Sequence, residues 1–260
     1  GAAGNALPPA NQIIKNEDTG TSYVQQSSLA FAGATITNVA AENKTLVDFG
    51  AGGSAALDWI NVKTDFGAIG DGVADDQAAV QNAINAAQTG PKGVVYFPPG
   101  MYKVTGLAAA GRVVLLGSGQ AVSIIYSTSN AIILTMSGDV SFRGGYVEKL
   151  TIRGIVTAGS SQVGLRMHDA TYQYGCVVRD VRIEDCGDNG LSVGNTFSSL
   201  WENVFITNCA DYPLLYDANN MPQNAFRSVY VGDLRSTGVV AFRIKAGHFV
   251  GYDCNGVNST

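Results

Sequence analysis

A repeat of 23 to 25 residues in the second half of the chain constrains the fold more than any other feature. Val178, Trp201 and Phe226 follow one another at steps of 23 and 25 residues. The same steps relate five further sets: Val181, Val204 and Val229; Ile183, Ile206 and Val231; Cys186, Cys209 and Leu234; Leu191, Leu214 and Val239; and Val193, Tyr216 and Ala241. Six apolar columns in one register indicate stacked structural repeats.

Each repeat holds three short β segments separated by bends, predicted in the middle repeat at residues 200–203, 204–208 and 213–216. A coil of three strands that stacks on the next coil at ~4.8 Å is a rung of a parallel β-helix. An earlier unit fits at a step of 31 residues, which separates Val147 from Val178. The sequence therefore predicts an all-β, single-stranded parallel β-helix.

The columns also predict structural roles for residues that could suggest chemistry. We expect Trp201 to lie in the core and the cysteines of the repeat to be reduced and buried. An outward column of alternating charge predicts a cross-strand ion-pair ladder of Arg179, Glu202 and Arg227. Two polar columns occupy the bends, where short side chains satisfy the backbone: Asp180, Asn203 and Ser228, and Asp185, Asn208 and Asp233.

Composition excludes several classes of protein. Apolar residues make up 46% of the chain, charged residues only 14%, and glycine occupies 32 positions, which favours a β protein with many turns over a disordered chain. The formal charge of −5 makes nucleic acid a poor partner. Since no run of ~18 apolar residues occurs, we expect no membrane insertion.

The first part of the chain divides into an arm and a capping motif. Residues 1–60 are rich in small and polar residues and predict an N-terminal arm or linker with short β pieces at residues 22–24 and 34–37. Residues 61–104 predict a strand, glycine-rich turns, a helix from about Asp76 to Ala87 with Asp75 as its N-cap, and a strand pair around Pro98 and Pro99.

The stretch VKTDFGAIGDGVADDQAAVQNAINAA, followed by GVVYFPPGMYKV, resembles the opening of the pectate-lyase-like superfamily of right-handed β-helices. The resemblance implies that the helix caps the N-terminal end of the solenoid, whose first coil would otherwise expose its core. The superfamily includes polysaccharide lyases, glycoside hydrolases, epimerases and phage tailspike depolymerases. The motif therefore indicates a fold and leaves the chemistry open.

Phage tailspikes are the best match within the superfamily, because they place a small-residue arm before this motif. This resemblance implies a homotrimer in the virion tail, outside the cell, that binds and hydrolyses a bacterial surface polysaccharide. Ser192, Leu215 and Val240 form an outward column that another chain could cover. Two alternatives remain: a non-catalytic trimeric adhesin, or a secreted pectate-lyase-like enzyme.

Paired acids on adjacent rungs form the best candidate active site. Glycoside cleavage usually needs two carboxylates about 5 Å apart or roughly 6.5–9.5 Å apart. Asp188 and Asp211 are one rung apart in the turn before the third strand, and Glu184 points outward from the strand that leads into that turn. These three are the predicted catalytic residues, and Tyr212 is predicted to stack on a sugar ring.

A second group follows the third strand. Arg166 and Asp217 are predicted to bind substrate, and His168 beside Arg166 could be the base of a lyase. Asp169 with Asp217 shows no metal-ligand spacing, so we expect no metal and no cofactor.

The rungs are predicted over residues 107–260, and the last coil is incomplete at Thr260. We expect either a partner that covers this coil or a longer β-helix of which the chain is a part. In the second case the catalytic groove could lie downstream of Thr260.

Overall fold

The computed structural model describes residues 59–91, 93–138, 144–156, 160–167, 172–216 and 224–232, and the backbone of strand residues outside these ranges. Its contacts divide the chain into two compact units, residues 1–57 and 58–260. The first unit contains two antiparallel pairs: β1 (Ile13–Lys15) with β2 (Ser22–Val24), and β3 (Thr35–Val39) with β4 (Lys44–Asp48).

The largest sheet of the second unit has 13 strands. In the earlier coils a bend separates two short strands, whereas in the later coils one long strand passes through the bend and pairs with both rows. Before the bend lie β5 (Trp59–Asn61), β7 (Val94–Phe97), β10 (Val114–Gly117) and β13 (Tyr146–Glu148); after it lie β6 (Asp71–Asp75), β8 (Gly100–Lys103), β11 (Ser123–Tyr126) and β14 (Thr151–Arg153). The strands β17 (Val177–Glu184), β20 (Leu200–Thr207) and β22 (Asn224–Gly232) pass through the bend, and β24 (Phe249–Tyr252) and β25 (Asn255–Gly256) follow.

The third strand of each coil belongs to a sheet of six strands: β9 (Leu107–Ala110), β12 (Leu134–Ser137), β15 (Leu165–Met167), β18 (Leu191–Val193), β21 (Leu214–Asp217) and β23 (Phe242–Lys245). A small sheet of β16 (Gln173–Tyr174) and β19 (Thr196–Phe197) lies between the third strand and the next coil. The pairings of these sheets are parallel. The predicted parallel β-helix is confirmed.

The predicted register is confirmed where β17, β20 and β22 stack. Val178 pairs with Trp201, and Trp201 pairs with Phe226. Valine and isoleucine columns repeat at the same steps, and their side chains are fully buried. Cys186 and Cys209 are free and buried as expected, whereas Cys254 and Leu234 lie outside the described residues.

The bends are built by polar residues in the left-handed backbone region. Asp180 and Asn203 both have φ of 53°, and Asn203 Nδ2 donates to Asp180 Oδ1 at 2.5 Å. At the second bend Asp185 has φ of 59° and Asn208 has φ of 56°, and Asn208 Nδ2 again donates to the aspartate. Asparagine and aspartate tolerate this conformation better than other side chains, and stacking pairs their polar groups.

The outward charged column forms the predicted ladder. Arg179 Nε lies 3.0 Å from Glu202 Oε2, and Arg227 continues the ladder at 4.0 Å from Glu202. On the other side Arg179 lies 3.9 Å from Glu148. These side chains are partly exposed, so the ladder contributes little to stability.

The predicted register is wrong in the coil after Tyr216. Leu214 pairs with Phe242 rather than Val239, and Tyr216 pairs with Ile244 rather than Ala241. The connection between β22 and β23 is therefore three residues longer than a constant step assumes. As a result Leu215 pairs with Arg243, and Val240 does not continue the predicted outward column of Leu215.

The helix α1 (Gln77–Thr89) covers the N-terminal end of the coils. It buries Val80, Ala83, Ile84 and Ala87, as its apolar periodicity predicts. Its side-chain amides also bind the open edge of β9. The Gln77 amide bonds the backbone of Thr105 and Gly106, and the Gln81 amide bonds both backbone groups of Ala108.

Two glutamines on one helix face can take the place of a neighbouring strand, because their spacing along the helix matches the spacing of the backbone groups along β9. Residues four apart on a helix rise about 6 Å, and residues two apart on a strand rise about 6.6 Å. Gln77 and Gln81 thus face Gly106 and Ala108 in step. The capping role implied by the motif has a hydrogen-bonding basis as well as an apolar one.

The N-terminus of α1 differs from the prediction by one residue. The N-cap is Asp76 and not Asp75. The Asp76 carboxylate accepts hydrogen bonds from the backbone of Ile69 at 2.6 Å and of Gly70 at 3.0 Å, so it holds the preceding turn and not its own helix. Asp75 Oδ1 accepts a hydrogen bond from the backbone N–H of Gln77, the first residue of the helix, at 2.9 Å.

Candidate functional site

The turns that precede β18 and β21 bring Asp188 and Asp211 together. Asp211 N donates to the backbone oxygen of Asp188 at 3.3 Å, which places the two turns one above the other. The Asp211 carboxyl group is near enough to the Asp188 carboxyl group to raise its pKa. Adjacent rungs therefore stack the two acids as the 23-residue spacing predicts.

The environment of Asp188 raises its pKa from the ordinary value of 3.8. Partial burial is the largest cause, followed by the negative charge of Asp211 and the hydrogen bond to it. The Asn189 backbone N–H and the charge of Arg166 act in the opposite direction. A carboxyl group with a raised pKa retains its proton to higher pH and can serve as an acid.

Arg166 and Asn189 complete the cluster. Arg166 lies in β15, where Ser192 of β18 is its strand neighbour. Arg166 Nε and Asn189 Oδ1 are buried and have no hydrogen-bond partner in the part of the chain that the structure describes. A buried donor and a buried acceptor without partners are costly.

The structure describes only some of the other residues that the sequence predicts to bind substrate. Tyr212 follows Asp211 directly and is half-buried. Asp217 ends β21, and its backbone pairs with Lys245. His168 and Asp169 lie outside the described residues.

Glu184 is not brought to the aspartate pair. Its carboxylate is buried and bound by two guanidinium groups, with Arg153 at 2.5 Å on Oε1 and Arg182 at 2.5 Å on Oε2. Alternation along the strand predicts that Glu184 points outward. One arginine of its own coil and one of the preceding coil cover it there. The surroundings of Glu184 indicate a structural ion cluster.

An aromatic cluster that sequence reasoning missed lies on the small sheet. Tyr174 stacks on Phe197 with ring centroids 4.8 Å apart and planes 10° apart, and Tyr172 packs on the same ring at 5.5 Å. Both tyrosines are about half exposed. The signal was present, because Tyr174 and Phe197 are 23 residues apart, as Val178 and Trp201 are.

The described residues contain no group of three or more histidine, cysteine, aspartate or glutamate side chains that could hold a metal ion. Among the same residues, no helix has the length and apolar character that crossing a membrane requires.

Comparison with known proteins agrees with this architecture. Residues 59–144 match the family model described as rhamnogalacturonase A/epimerase, pectate lyase-like. The resemblance to pectate-lyase-like β-helix proteins is confirmed. The matched stretch begins at β5 and includes α1 and the first coils, which carry the capping motif.

Two relatives match different lengths of the chain. Mannuronan C5-epimerase AlgE6 of Azotobacter vinelandii is 45% identical over 73 residues, which are 25% of this chain and 8% of the epimerase. The tail spike protein of Shigella phage Sf6 is 28% identical over 151 residues, which are 55% of this chain and 23% of that protein. The chain thus spans less than a quarter of either relative.

A solved structure extends the likeness of the fold. ORF18 of Geobacillus virus E2 superimposes with a TM-score of 0.62 over 94% of this chain and 48% of its own, at 20% sequence identity. This similarity supports the parallel β-helix beyond the residues that the family model matches.

Proposed function

We propose that the chain is a tailspike-type domain that binds a bacterial surface polysaccharide and hydrolyses it at the Asp188 cluster. The observation that carries the proposal is the pair of stacked acids, one with a raised pKa, beside two buried polar atoms that lack partners. The similarity to a phage tail spike protein and to a mannuronan epimerase supports a polysaccharide as the substrate.

Asp188 and Asp211 divide the work of proton transfer in this proposal. Asp188 donates its proton to the leaving oxygen as the glycosidic bond breaks, and water forms the new bond to the anomeric carbon. The proton that water releases returns to the pair. The two acids lie in stacked turns of adjacent rungs, and the negative charge of Asp211 raises the pKa of Asp188. Asp211 therefore acts by keeping Asp188 protonated.

Arg166 and Asn189 bind the sugar in this arrangement. Arg166 Nε offers a donor and Asn189 Oδ1 an acceptor, and a sugar carries hydroxyl groups that serve as both. Tyr212, next to Asp211, supplies an apolar ring beside them. We keep Asp217 as a proposed substrate contact, because it ends the strand that follows the Asp211 turn.

We also propose that the domain works as a homotrimer in a virion tail. Partly exposed apolar side chains form a column along the outer face of the large sheet at one strand position: Trp59, Val94, Val114, Tyr146, Val177, Leu200 and Ala225. A straight apolar stripe of this length fits a surface covered by another chain. Light scattering of the purified chain tests the assembly.

Incubation with capsular and O-antigen polysaccharides tests the activity. Hydrolysis releases oligosaccharides with new reducing ends and no absorbance from unsaturated uronate. A lyase would produce that absorbance, and a non-catalytic adhesin would bind without releasing any product. Either of the last two results contradicts the proposed hydrolysis.

A further inference from the structure

An open groove with a volume of about 560 Å³ runs across the row of strands that follow the first bend of each coil. Its walls come from six successive coils, from β6 to the residue after β20, and are formed by Gly72, Met101, Tyr126, Arg153, Asp185 and Asn208 among others. At the spacing of parallel strands, five steps span about 24 Å. The groove is therefore long enough for several linked sugar rings.

The charges in and behind this groove are balanced. Arg153 is bound to Glu184 through Nε at 2.6 Å and through its terminal nitrogen at 2.5 Å. Glu184 also binds Arg182, and the second acid, Asp185, lines the groove itself. Two guanidinium groups thus face two carboxylates. No net positive charge remains to attract a polyanion.

Asn208 provides an acceptor that the protein does not use. Its side chain is buried, with only 6% of the residue exposed, and it lines the groove. The Nδ2 group donates to Asp185, which determines the orientation of the amide. Oδ1 is buried without a hydrogen-bond partner among the described residues. A hydroxyl donor in the groove would satisfy this atom.

We propose that the groove binds an uncharged stretch of glycan, with one sugar hydroxyl donating to Asn208 Oδ1. The inference deepens the proposed function, because it names neutral polysaccharide as the substrate class. Tyr126 offers an aromatic wall on which a sugar ring can pack. The formal charge of −5 and the Asp188 pair also disfavour a polyuronate.

The chain itself supplies a matched control for Asn208. Asn203 has nearly the same backbone conformation, with φ of 53° against 56°, and its amide donates to Asp180 as that of Asn208 donates to Asp185. Asn203 does not line the groove. Glycine tolerates this conformation, so Asn208→Gly and Asn203→Gly remove equivalent side chains and are expected to lower stability equally.

Calorimetric titration of the full chain tests the proposal. The ligands are uncharged hexasaccharides of glucose, galactose, mannose or rhamnose, and matched hexauronates. We expect binding of an uncharged member that is insensitive to salt, about tenfold weaker in Asn208→Gly and unchanged in Asn203→Gly. Equal loss in both variants, no binding of any uncharged member, or preference for a hexauronate overturns it.

Asp188→Asn separates this inference from the proposed hydrolysis. The variant retains the groove, so it should bind the glycan as the wild type does. Groove binding without cleavage by the wild type contradicts hydrolysis and leaves the groove assignment standing. If Asn208→Gly cleaves the glycan and also binds it with wild-type affinity, the groove assignment is contradicted and the proposed hydrolysis stands.

Discussion

Trp201 stacks on Phe226 of the next coil, with ring centroids 4.5 Å apart and planes 10° apart. Both side chains are fully buried, and Tyr216 meets the Phe226 ring edge-on at 5.6 Å. The stacking follows from the strand register, which pairs the two residues directly. It shows that the repeat aligns side chains vertically and that Trp201 belongs to the core.

Replacing Trp201 by alanine should lower the free energy of unfolding by about 3–5 kcal/mol, because the change leaves a cavity between two coils. Phe205 is the control, since it lies partly exposed on the outer face, with its ring centroid 5.9 Å from that of Tyr230. Urea denaturation measures both variants. Comparable losses for Trp201→Ala and Phe205→Ala would contradict the assignment of Trp201 to the core.

The double variant Gln77→Ala, Gln81→Ala should destabilise the first coils by about 1 kcal/mol for each amide removed. The amides bond backbone groups of Thr105, Gly106 and Ala108 that would otherwise lack partners at the edge of β9. Gln88→Ala, at an exposed position of the same helix, is the control. Hydrogen exchange of the Ala108 amide should increase in the double variant alone.

Glu184→Gln should cost about 1.5–3 kcal/mol, because it removes the buried carboxylate from two guanidinium groups that are themselves 30% and 44% exposed. Glu202→Gln, in the partly exposed ladder, should cost less than about 1 kcal/mol. Thermal unfolding at low and high salt compares them. If Glu184→Gln stays as stable as the wild type yet loses cleavage, Glu184 is catalytic as the sequence predicts and not structural.

Asp188 should make stability depend on pH in a defined direction. Its pKa is raised in the folded state, so the folded chain binds the proton more tightly than the unfolded chain between the ordinary value of 3.8 and the raised value. The free energy of unfolding therefore falls as pH rises through this window, and the loss persists above it.

Asp188→Asn removes this loss, since the amide carries no charge near Asp211. The variant should melt at a higher temperature than the wild type at pH 7, and the difference should shrink below the ordinary pKa of an aspartate. Thermal unfolding across the acid range measures it. A difference that grows towards low pH would contradict the raised pKa.

Most of the fold could be predicted, because residues that stack in a β-helix recur at a regular spacing in the sequence. The columns through Val178, Val181 and Ile183 have constant steps, since β17 and β20 have equal lengths and equal bends. The prediction failed at Leu214, where the turn before β23 has three more residues than the preceding one. Turn length is free in a solenoid, because turns project from the coil and stacking does not restrict them.

The site was predictable only where it depends on stacking. Asp188 and Asp211 meet because they are one step apart, and Arg166 acts on Asp188 from the preceding coil. The burial of Glu184 was not predictable from alternation, which gives the face of a strand but not the arginines that cover it. The unused acceptor of Asn208 likewise depends on which side of a bend faces a groove.

Reducing-end release from a bacterial surface polysaccharide tests the account most directly, measured for the wild type, Asp188→Asn and Asp180→Asn. Asp180 is a bend aspartate that bonds Asn203 and does not line the groove, so its variant controls for loss of a carboxylate. The account predicts that Asp188→Asn abolishes release while it binds the polysaccharide and remains folded, and that Asp180→Asn still cleaves. Release by Asp188→Asn at the wild-type rate would contradict it.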